Sequence, residues 1–346
     1  MKPRLWLCAF TVGAIVALLA QTPTVAATVR PMTITLGGTP QALNVGQQQH
    51  SGFPGMAKLP DGSVRLVWRQ GTDHYVNRDG VIMGAISYDS GRSFTNTHVL
   101  QVGGDRRDPS VSVIYGAEWL TWFTGTNTAP AQGAWAMREW GGPARFDGGL
   151  PYAATAAPLV QLPNGQLGGA FYGRKAGENI DTAFMAWSSD GVSWSTNRIA
   201  NSIGAGVAHN EPWLVVDGSL THFFYRFGGT GIAMRTSSNS GLGPSWDAPR
   251  QILWDATGRP STFRTNAGTL VMVYREASTG AARMAYSTDH AATWKDGGVI
   301  LPSVGGIGMT YATFVEPEPG KIRGVVGREG PDGMTSQLYG FDLMES

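Results

Sequence analysis

The feature that most constrains this chain is a repeated segment in which a proline is followed, a few residues later, by a tight-turn dipeptide. FPGMAKLPDGSVRLVWRQ begins at Phe53, APLVQLPNGQLGGAFYGRK at Ala157, EPWLVVDGSLTHFFYRF at Glu211 and RPSTFRTNAGTLVMVYRE at Arg259. Two weaker copies are DPSVSVIYGAEWLTWFTG at Asp108 and YATFVEPEPGKIRGVVGRE at Tyr311. The copies recur roughly every 50 residues, and each reads as two short apolar strands joined by a turn. The chain is therefore predicted to be all-β.

A repeat of this length made only of strands is typical of a β-propeller, in which each repeat forms one blade. Six copies predict a six-bladed β-propeller of four-stranded antiparallel blades. The 48 glycines and 20 prolines favour many strands joined by tight turns. The alternating MTITL of residues 32–36 is predicted to pair with the C-terminal strand near Leu338 to Leu343, which would join the two ends of the chain. Type I′ hairpin turns are predicted at Asp61-Gly62, Asn164-Gly165 and Asp217-Gly218.

The first 27 residues have the order of a secretory signal peptide, with Lys2 and Arg4 before an apolar run and small residues at the end. We expect cleavage after Ala27, a secreted or extracytoplasmic location, and one mature domain of residues 28–346. The only cysteine, Cys8, lies in the signal segment, so the mature chain has no disulfide. Without this segment 24 basic side chains face 25 acidic ones. That balance argues against nucleic acid and anionic membranes as partners.

A second motif follows the third strand of several repeats. It occurs as SYDSGRSF from Ser87, SSDGVSW from Ser188, STDHAATW from Ser287 and, stretched, SSNSGLGPSW from Ser237. These segments resemble the Asp-box, Ser-x-Asp-x-Gly-x-Thr-Trp, which marks the sialidase superfamily. The Asp89, Asp190 and Asp289 carboxylates are expected to accept backbone N–H bonds within a turn. The motif predicts the fold and little about function, because such boxes occur in hydrolases, lyases and binding modules alike.

Candidate functional residues lie just before the proline of each repeat. The inner strands of a propeller line a central channel, so these positions should face a common axis. They include Arg107, Asp108, Glu211, Arg259 and Tyr311. Charged and phenolic side chains at equivalent repeat positions indicate binding or catalysis. The second strands end in five further arginines: Arg69, Arg174, Arg226, Arg275 and Arg328.

The resemblance to sialidases implies a role for several of these residues. NEPWLVVDGSLTHFFYR is similar to the sialidase segment in which a glutamate precedes a proline and an arginine ends the next strand. Glu211 would then polarise a tyrosine nucleophile, Tyr311, and Arg226 would bind the carboxylate of the substrate. A phenol suits such a substrate, because a negatively charged nucleophile would be repelled by it.

The acid/base group of the family would come from the loop GTDHYVNRDG. Asp73 is the first candidate, Asp79 the second, and His74 is an alternative in the same loop. The chain departs from the family at Gly52, where the first carboxylate-binding arginine should stand. The predicted binding residues are Arg226, Arg275, Arg69, His74, Arg107, Asp108 and Arg259.

The sequence favours an exo-acting glycoside hydrolase that removes a terminal acidic sugar such as sialic acid. One alternative is a polysaccharide lyase, in which an arginine neutralises a uronate and His74, Tyr75 or Tyr311 abstracts a proton. Another is a glycan-binding propeller without catalysis. The predicted partner is a glycan, with no membrane contact after signal cleavage, and the protein is expected to be a monomer without a cofactor. The six histidines show none of the usual metal-site spacings, so no metal is predicted.

Overall fold

The computed structural model describes residues 32–45, 49–75, 79–102, 104–125, 133–139, 141–200, 206–229, 231–242, 245–305 and 311–346. The predicted signal peptide and Cys8 lie outside these ranges. Within them all regular secondary structure is β-strand, and no helix there is long and apolar enough to cross a bilayer.

The strands follow one another in short segments separated by turns. In chain order they are β1 (Ile34–Leu36), β2 (Gln41–Ala42), β3 (His50–Lys58), β4 (Val64–Gly71), β5 (Val81–Ser87), β6 (Thr95–Gln101), β7 (Asp105–Ile114), β8 (Ala117–Gly125), β9 (Gly133–Arg138), β10 (Ala144–Arg145), β11 (Tyr152–Ala154), β12 (Val160–Gln161), β13 (Leu167–Arg174), β14 (Thr182–Ser188), β15 (Ser195–Arg198), β16 (His209–Asp217), β17 (Leu220–Phe227), β18 (Gly231–Ser237), β19 (Arg250–Trp254), β20 (Ala256–Arg264), β21 (Leu270–Glu276), β22 (Ala282–Ser287), β23 (Lys295–Leu301), β24 (Ala312–Glu318), β25 (Lys321–Glu329) and β26 (Ser336–Glu345).

The strands of the described ranges form five hydrogen-bonded sheets. β7 to β10, β16 to β19 and β20 to β23 are four-stranded, and β11 to β15 form a five-stranded sheet. The remaining sheet has nine strands: β3 to β6 together with β24 to β26, β1 and β2. Its two halves meet through a single parallel bridge between Ser336 and His50. The six predicted four-stranded blades do not appear as six separate sheets in the described ranges, because this bridge joins the strands of the first repeat to those of the last.

The first strands of the repeats lie side by side around a common centre. β3 contacts β7, β7 contacts β12, β12 contacts β16, β16 contacts β20, β20 contacts β24, and β24 returns to β3. Apolar side chains between neighbouring sheets form the core, including Trp68, Trp122 and Phe223. The predicted all-β propeller arrangement is confirmed.

The two ends of the described chain pair with each other. β1 is antiparallel to β26, with Ile34 opposite Glu345 and Leu36 opposite Leu343. The predicted pairing of residues 32–36 with the C-terminal strand is thus confirmed, and the first strand completes the sheet of the last repeat.

The turns differ from the predicted type I′. At the first turn Leu59 donates its N–H to Ser63 and accepts one from Gly62, and of the predicted pair only Gly62 has a positive φ, 87°. The same pattern recurs at Gly165, with φ 86°. A type I turn followed by a left-handed glycine makes a three-residue loop, so one positive φ suffices. In the third pair Asp217 ends β16 opposite Leu220, which leaves Gly218 and Ser219 as the loop.

The Asp-boxes form side-chain-stabilised turns, as expected. Asp89 Oδ1 accepts the N–H groups of Arg92 and Ser93 at 3.1 and 2.8 Å. Asp190 makes the equivalent bonds within the third repeat, and hydrogen bonds led by the Ser193 N–H lower its pKa to about 2. These carboxylates are occupied by their own turns, which indicates a structural role.

Candidate functional site

A repeated backbone irregularity aims side chains at the centre of the ring. In β3, β7 and β16 the pairing register shifts at the proline, and the residue before it has a positive φ. These residues are Phe53, Asp108 and Glu211, with φ 56°, 47° and 50°. Proline cannot donate to the ladder, and a bulge redirects the neighbouring side chain. The proline of the repeat thus marks the position of each inward-facing group.

Tyr311 and Glu211 meet at this centre. The Tyr311 phenol donates a hydrogen bond to Glu211 Oε1, and Arg226 Nη1 lies 3.3 Å from Glu211 Oε2. Tyr311 and Glu211 are buried, whereas Arg226 is 24% exposed. Burial, reinforced by the Glu211 and Asp108 carboxylates, raises the pKa of Tyr311 well above its usual value. The phenol is therefore neutral, and Glu211 is placed to accept its proton.

Asp108 is a second carboxyl group in the same space. Burial raises its pKa to about 6, against the opposing effect of the Arg107 and Arg259 cations. Its Oδ1 atom is buried and accepts no hydrogen bond from the residues that the structure describes. A buried acceptor of this kind is costly unless a ligand or water completes it, so Asp108 is placed to bind a ligand hydroxyl.

Arg259 lies beside Tyr311 and is fully buried. Nη1 donates to the Ala156 carbonyl at 2.8 Å, and Nη2 donates to the carbonyls of Pro54 and Ala312 at 3.0 and 2.6 Å. Its guanidinium lies 4.9 Å from the centre of the Tyr311 ring. Its predicted contact with substrate stays a prediction. In this structure Arg259 joins the inner strands of several repeats and lies against the Tyr311 ring.

Arg69 and Arg107 share the buried carboxylate of Asp105. Arg69 contacts it at 3.0 Å and Arg107 at 3.1 Å. Arg69 also donates to the Asp73 carbonyl at 2.6 Å, and Arg107 donates to the His74 carbonyl at 2.7 Å. Arg69 is 0% exposed, and its predicted contact with substrate stays a prediction. The two cations fix the backbone of the loop that carries Asp73 and His74.

The loop after β4 stands beside Tyr311. The His74 ring lies 5.3 Å from that of Phe53, which lies 5.3 Å from that of Tyr311. Asp73 is half-buried next to His74. Asp79 accepts the Thr72 N–H at 2.9 Å, which closes the base of the loop. The geometry therefore places the His74 ring against Phe53 at the site and gives Asp79 a structural task, while the role of Asp73 stays a prediction.

Arg275, another predicted binding residue, is the second-last residue of β21 and pairs with Thr257 of β20. It is half-buried. Its partner Thr257 stands at the start of the register shift in the fifth repeat.

Two tyrosines of the third repeat belong to the site and were missed from the sequence. Burial raises the pKa of Tyr172 well above its usual value, reinforced by Tyr152, Glu211 and Tyr311. Arg174 lies over the Tyr152 ring at 4.4 Å. Tyr172 and Arg174 are two residues apart on β13 and so share a face of the sheet. That spacing, taken with the recurring strand-end arginine, was the available signal.

One group of possible metal ligands also appears. His50, His74 and Glu329 place three ligand atoms within 4.8 Å of one another. The sequence-based prediction of no metal site rested on spacing along the chain, and Glu329 is 279 positions from His50. Only folding brings these three residues together.

The described strands form a β-propeller with the Tyr311–Glu211–Arg226 group among its inner strands. Residues 143–320, about half of the chain, match the BNR repeat-like domain, and the chain belongs to that family. A search of curated protein sequences found no match.

Solved structures share this fold at low sequence identity. A protein of unknown function from Dyadobacter fermentans has a TM-score of 0.77 and 15% identity, over 90% of this chain and 99% of that one. Trypanosoma rangeli sialidase in complex with sialic acid has a TM-score of 0.63 and 13% identity, over 91% of this chain and 59% of that one. Penicillium chrysogenum α-L-arabinanase complexed with arabinobiose has a TM-score of 0.62 and 12% identity, over 90% and 98%. At these identities the likeness shows the fold alone.

Proposed function

We propose that this chain is a secreted exo-glycosidase that removes a terminal acidic sugar, such as sialic acid, from a glycan. The observation that carries the proposal is the buried hydrogen bond from the Tyr311 phenol to Glu211, with Arg226 beside the same carboxylate. A sialidase and an arabinanase with the same fold support a glycosidase over other classes. The first strands of the six repeats contact one another in a closed ring. This supports counting the nine-stranded sheet as two blades, which makes the ring six-bladed. Lys2, Arg4 and the apolar run after them support secretion.

The proposed reaction proceeds through a covalent intermediate. The Tyr311 oxygen attacks the anomeric carbon while Glu211 takes the phenol proton, and the glycosidic bond breaks as Asp73 protonates the departing oxygen. Asp73 then removes a proton from water, which attacks the anomeric carbon and returns the bonding electrons to Tyr311, and Glu211 gives the proton back. The raised pKa of Tyr311 requires this transfer, because a free phenolate would be costly in the buried site.

We assign the binding of the substrate carboxylate to Arg226. It is partly exposed and close to the reacting pair, whereas Arg69 and Arg259 are fully buried. At the position of the family's first arginine, a Cβ added to Gly52 would lie 3.1 Å from His50 Cε1. That space is taken by the histidine ring. The carboxylate clamp therefore rests on fewer cations than in a sialidase, and we expect weak discrimination among acidic sugars.

The absence of the family's first arginine at Gly52 also favours a second function, a glycan-binding propeller without catalysis. Arg226, a partly exposed cation near Glu211, can orient an acidic sugar, and the aromatic and carboxyl groups can hold its ring and hydroxyls without chemistry.

One experiment separates these functions. Purified protein is incubated with fluorogenic sialosides, arabinosides and uronate polymers, and three signals are followed: fluorophore release, ultraviolet absorbance of a new double bond, and calorimetric binding. Release from an acidic glycoside that is lost in Tyr311→Phe supports the proposal. Absorbance without release indicates a lyase, binding alone indicates a glycan-binding module, and either result overturns the hydrolase assignment.

A further inference from the structure

The junction between the first and last repeats holds a compact group of nitrogen and oxygen ligands. His50 is the first residue of β3, Glu329 the last of β25, and His74 stands in the loop after β4. The bridge from Ser336 to His50 crosses the same point, and Glu329 pairs with Ser336 across β25 and β26. Three chain segments therefore converge where the ring is closed.

The ligand atoms of the group face one another. Glu329 Oε1 lies 2.9 Å from His50 Nε2 and 2.7 Å from His74 Nδ1. His50 and Glu329 are 0% and 2% exposed, and His74 is 16% exposed. The group is therefore largely enclosed, and it combines two imidazole rings with one carboxylate.

We propose that His50, His74 and Glu329 bind a divalent transition-metal ion of the zinc class. Two imidazole nitrogens and one carboxylate oxygen are a ligand set that zinc accepts in three-ligand sites, with water in the fourth position. The exposed edge of His74 is the side on which that water enters.

The required movement is small. Zinc bonds of about 2.0–2.2 Å in tetrahedral geometry separate ligand atoms by roughly 3.4 Å. The two N–O distances must therefore lengthen by roughly half an ångström, and each neutral ring must carry its proton on the nitrogen that does not face Glu329. The His74 backbone is already fixed, because its N–H donates to Gly333 at 2.9 Å and Arg107 holds its carbonyl.

Local charge and shape also fit the ion. Arg69 is near His50, but the Asp105 and Asp108 carboxylates oppose its charge, and Asp105 pairs with it at 3.0 Å. Gly52 leaves the space that the His50 ring occupies, since a Cβ at this position would approach Cε1 to 3.1 Å. The residue that departs from the sialidase pattern is therefore the one that admits this group. The bound ion would join the first repeat to the last and hold the His74 loop against Phe53.

The test measures metal binding and does not depend on catalysis. Protein stripped with a chelator is titrated with Zn²⁺ by calorimetry and with Co²⁺ by visible absorption. We expect one Zn²⁺ per chain, a tetrahedral Co²⁺ spectrum, and a higher melting temperature in the presence of Zn²⁺. Glu329→Gln and His50→Ala should weaken binding by about 100-fold or more.

The matched control is His98→Ala, because His98 is exposed on β6 and bonds only to the nearby Asn96 carbonyl among its described contacts. It should bind Zn²⁺ as the unmodified chain does. If a buried variant fails to fold, His74→Ala replaces it, since that ring is the most exposed of the three. Failure of the folded chain to take up one Zn²⁺, or equal uptake by folded Glu329→Gln or His74→Ala, overturns the proposal.

Discussion

The Tyr311 phenol donates a hydrogen bond to the Glu211 carboxylate although 100 positions separate the two residues in the chain. Glu211 reaches the centre from a bulge in β16, and Tyr311 immediately precedes β24. Two different repeats thus contribute one half each to a proton-transfer pair, and neither repeat alone could form it.

Removing the Tyr311 hydroxyl should abolish hydrolysis without unfolding the site. Tyr311→Phe keeps the ring against Phe53 and Arg259 but deletes the nucleophile, so kcat should fall by about 10³-fold or more while ligand binding changes little. Kinetics and calorimetry with the same acidic glycoside measure both quantities. Tyr115→Phe is the control, because Tyr115 is exposed in a turn and should leave both unchanged. Full hydrolysis by Tyr311→Phe would falsify the assignment.

The proposed acid, Asp73, can be distinguished from the neighbouring carboxyl group by the leaving group. Asp73→Asn should slow hydrolysis of natural glycosides by about 10²-fold or more, because the departing oxygen then lacks its proton. Aryl glycosides with acidic phenols need no such proton, so their bond cleavage should be nearly unaffected. Asp108→Asn should weaken the binding of natural and aryl glycosides alike, since Asp108 is assigned to substrate binding. Equal losses of both substrates in Asp73→Asn would move the acid role to another residue, with His74 the next to test.

Part of this fold was predictable because it follows local rules. The proline-plus-turn repeats and the Asp-boxes act within single hairpins, so the sequence around Asp89 and Asp190 indicated turns that the structure contains. The inward position of Glu211 was likewise predictable, because proline interrupts the strand ladder beside it. The turn type was not, since hydrogen bonding at Leu59 selects a three-residue loop.

The burial of cations was the main feature that sequence could not supply. The sequence does not distinguish Arg69, Arg226 and Arg259 from one another. Their burial in the folded chain decides which of them a ligand can reach. Arg259 finds three carbonyls at the axis, and Arg69 finds Asp105. Glu329 and His50 likewise meet only because the ring closes between the first and last repeats.

A close approach between inner strands gives a stability prediction independent of function. A Cβ added to Gly55 would lie 2.6 Å from Ser110 Cα and 2.8 Å from the Pro109 carbonyl, both backbone atoms. Gly55→Ala should therefore push β3 away from β7 and lower the free energy of unfolding by about 2 kcal/mol or more. Gly142→Ala is the control, because a Cβ there meets nothing within 4 Å. Denaturant titration compares them, and equal stability would show that the inner strands have more room than described.

Asp108 should make stability depend on pH in the direction opposite to a salt-bridged aspartate. Its folded pKa of about 6 exceeds the ordinary value of 3.8 mainly because burial disfavours the charged form. Between these values the unfolded chain is ionised while the native carboxyl keeps its proton, so rising pH favours unfolding. Asp108→Asn cannot ionise, and its stability relative to the unmodified chain should rise by roughly 3 kcal/mol between pH 3.5 and pH 8, with most of the change between pH 4 and pH 6. Denaturant unfolding at pH 3.5 to 8 measures this difference. A constant difference across that range would show that Arg107 and Arg259 fully compensate the buried charge.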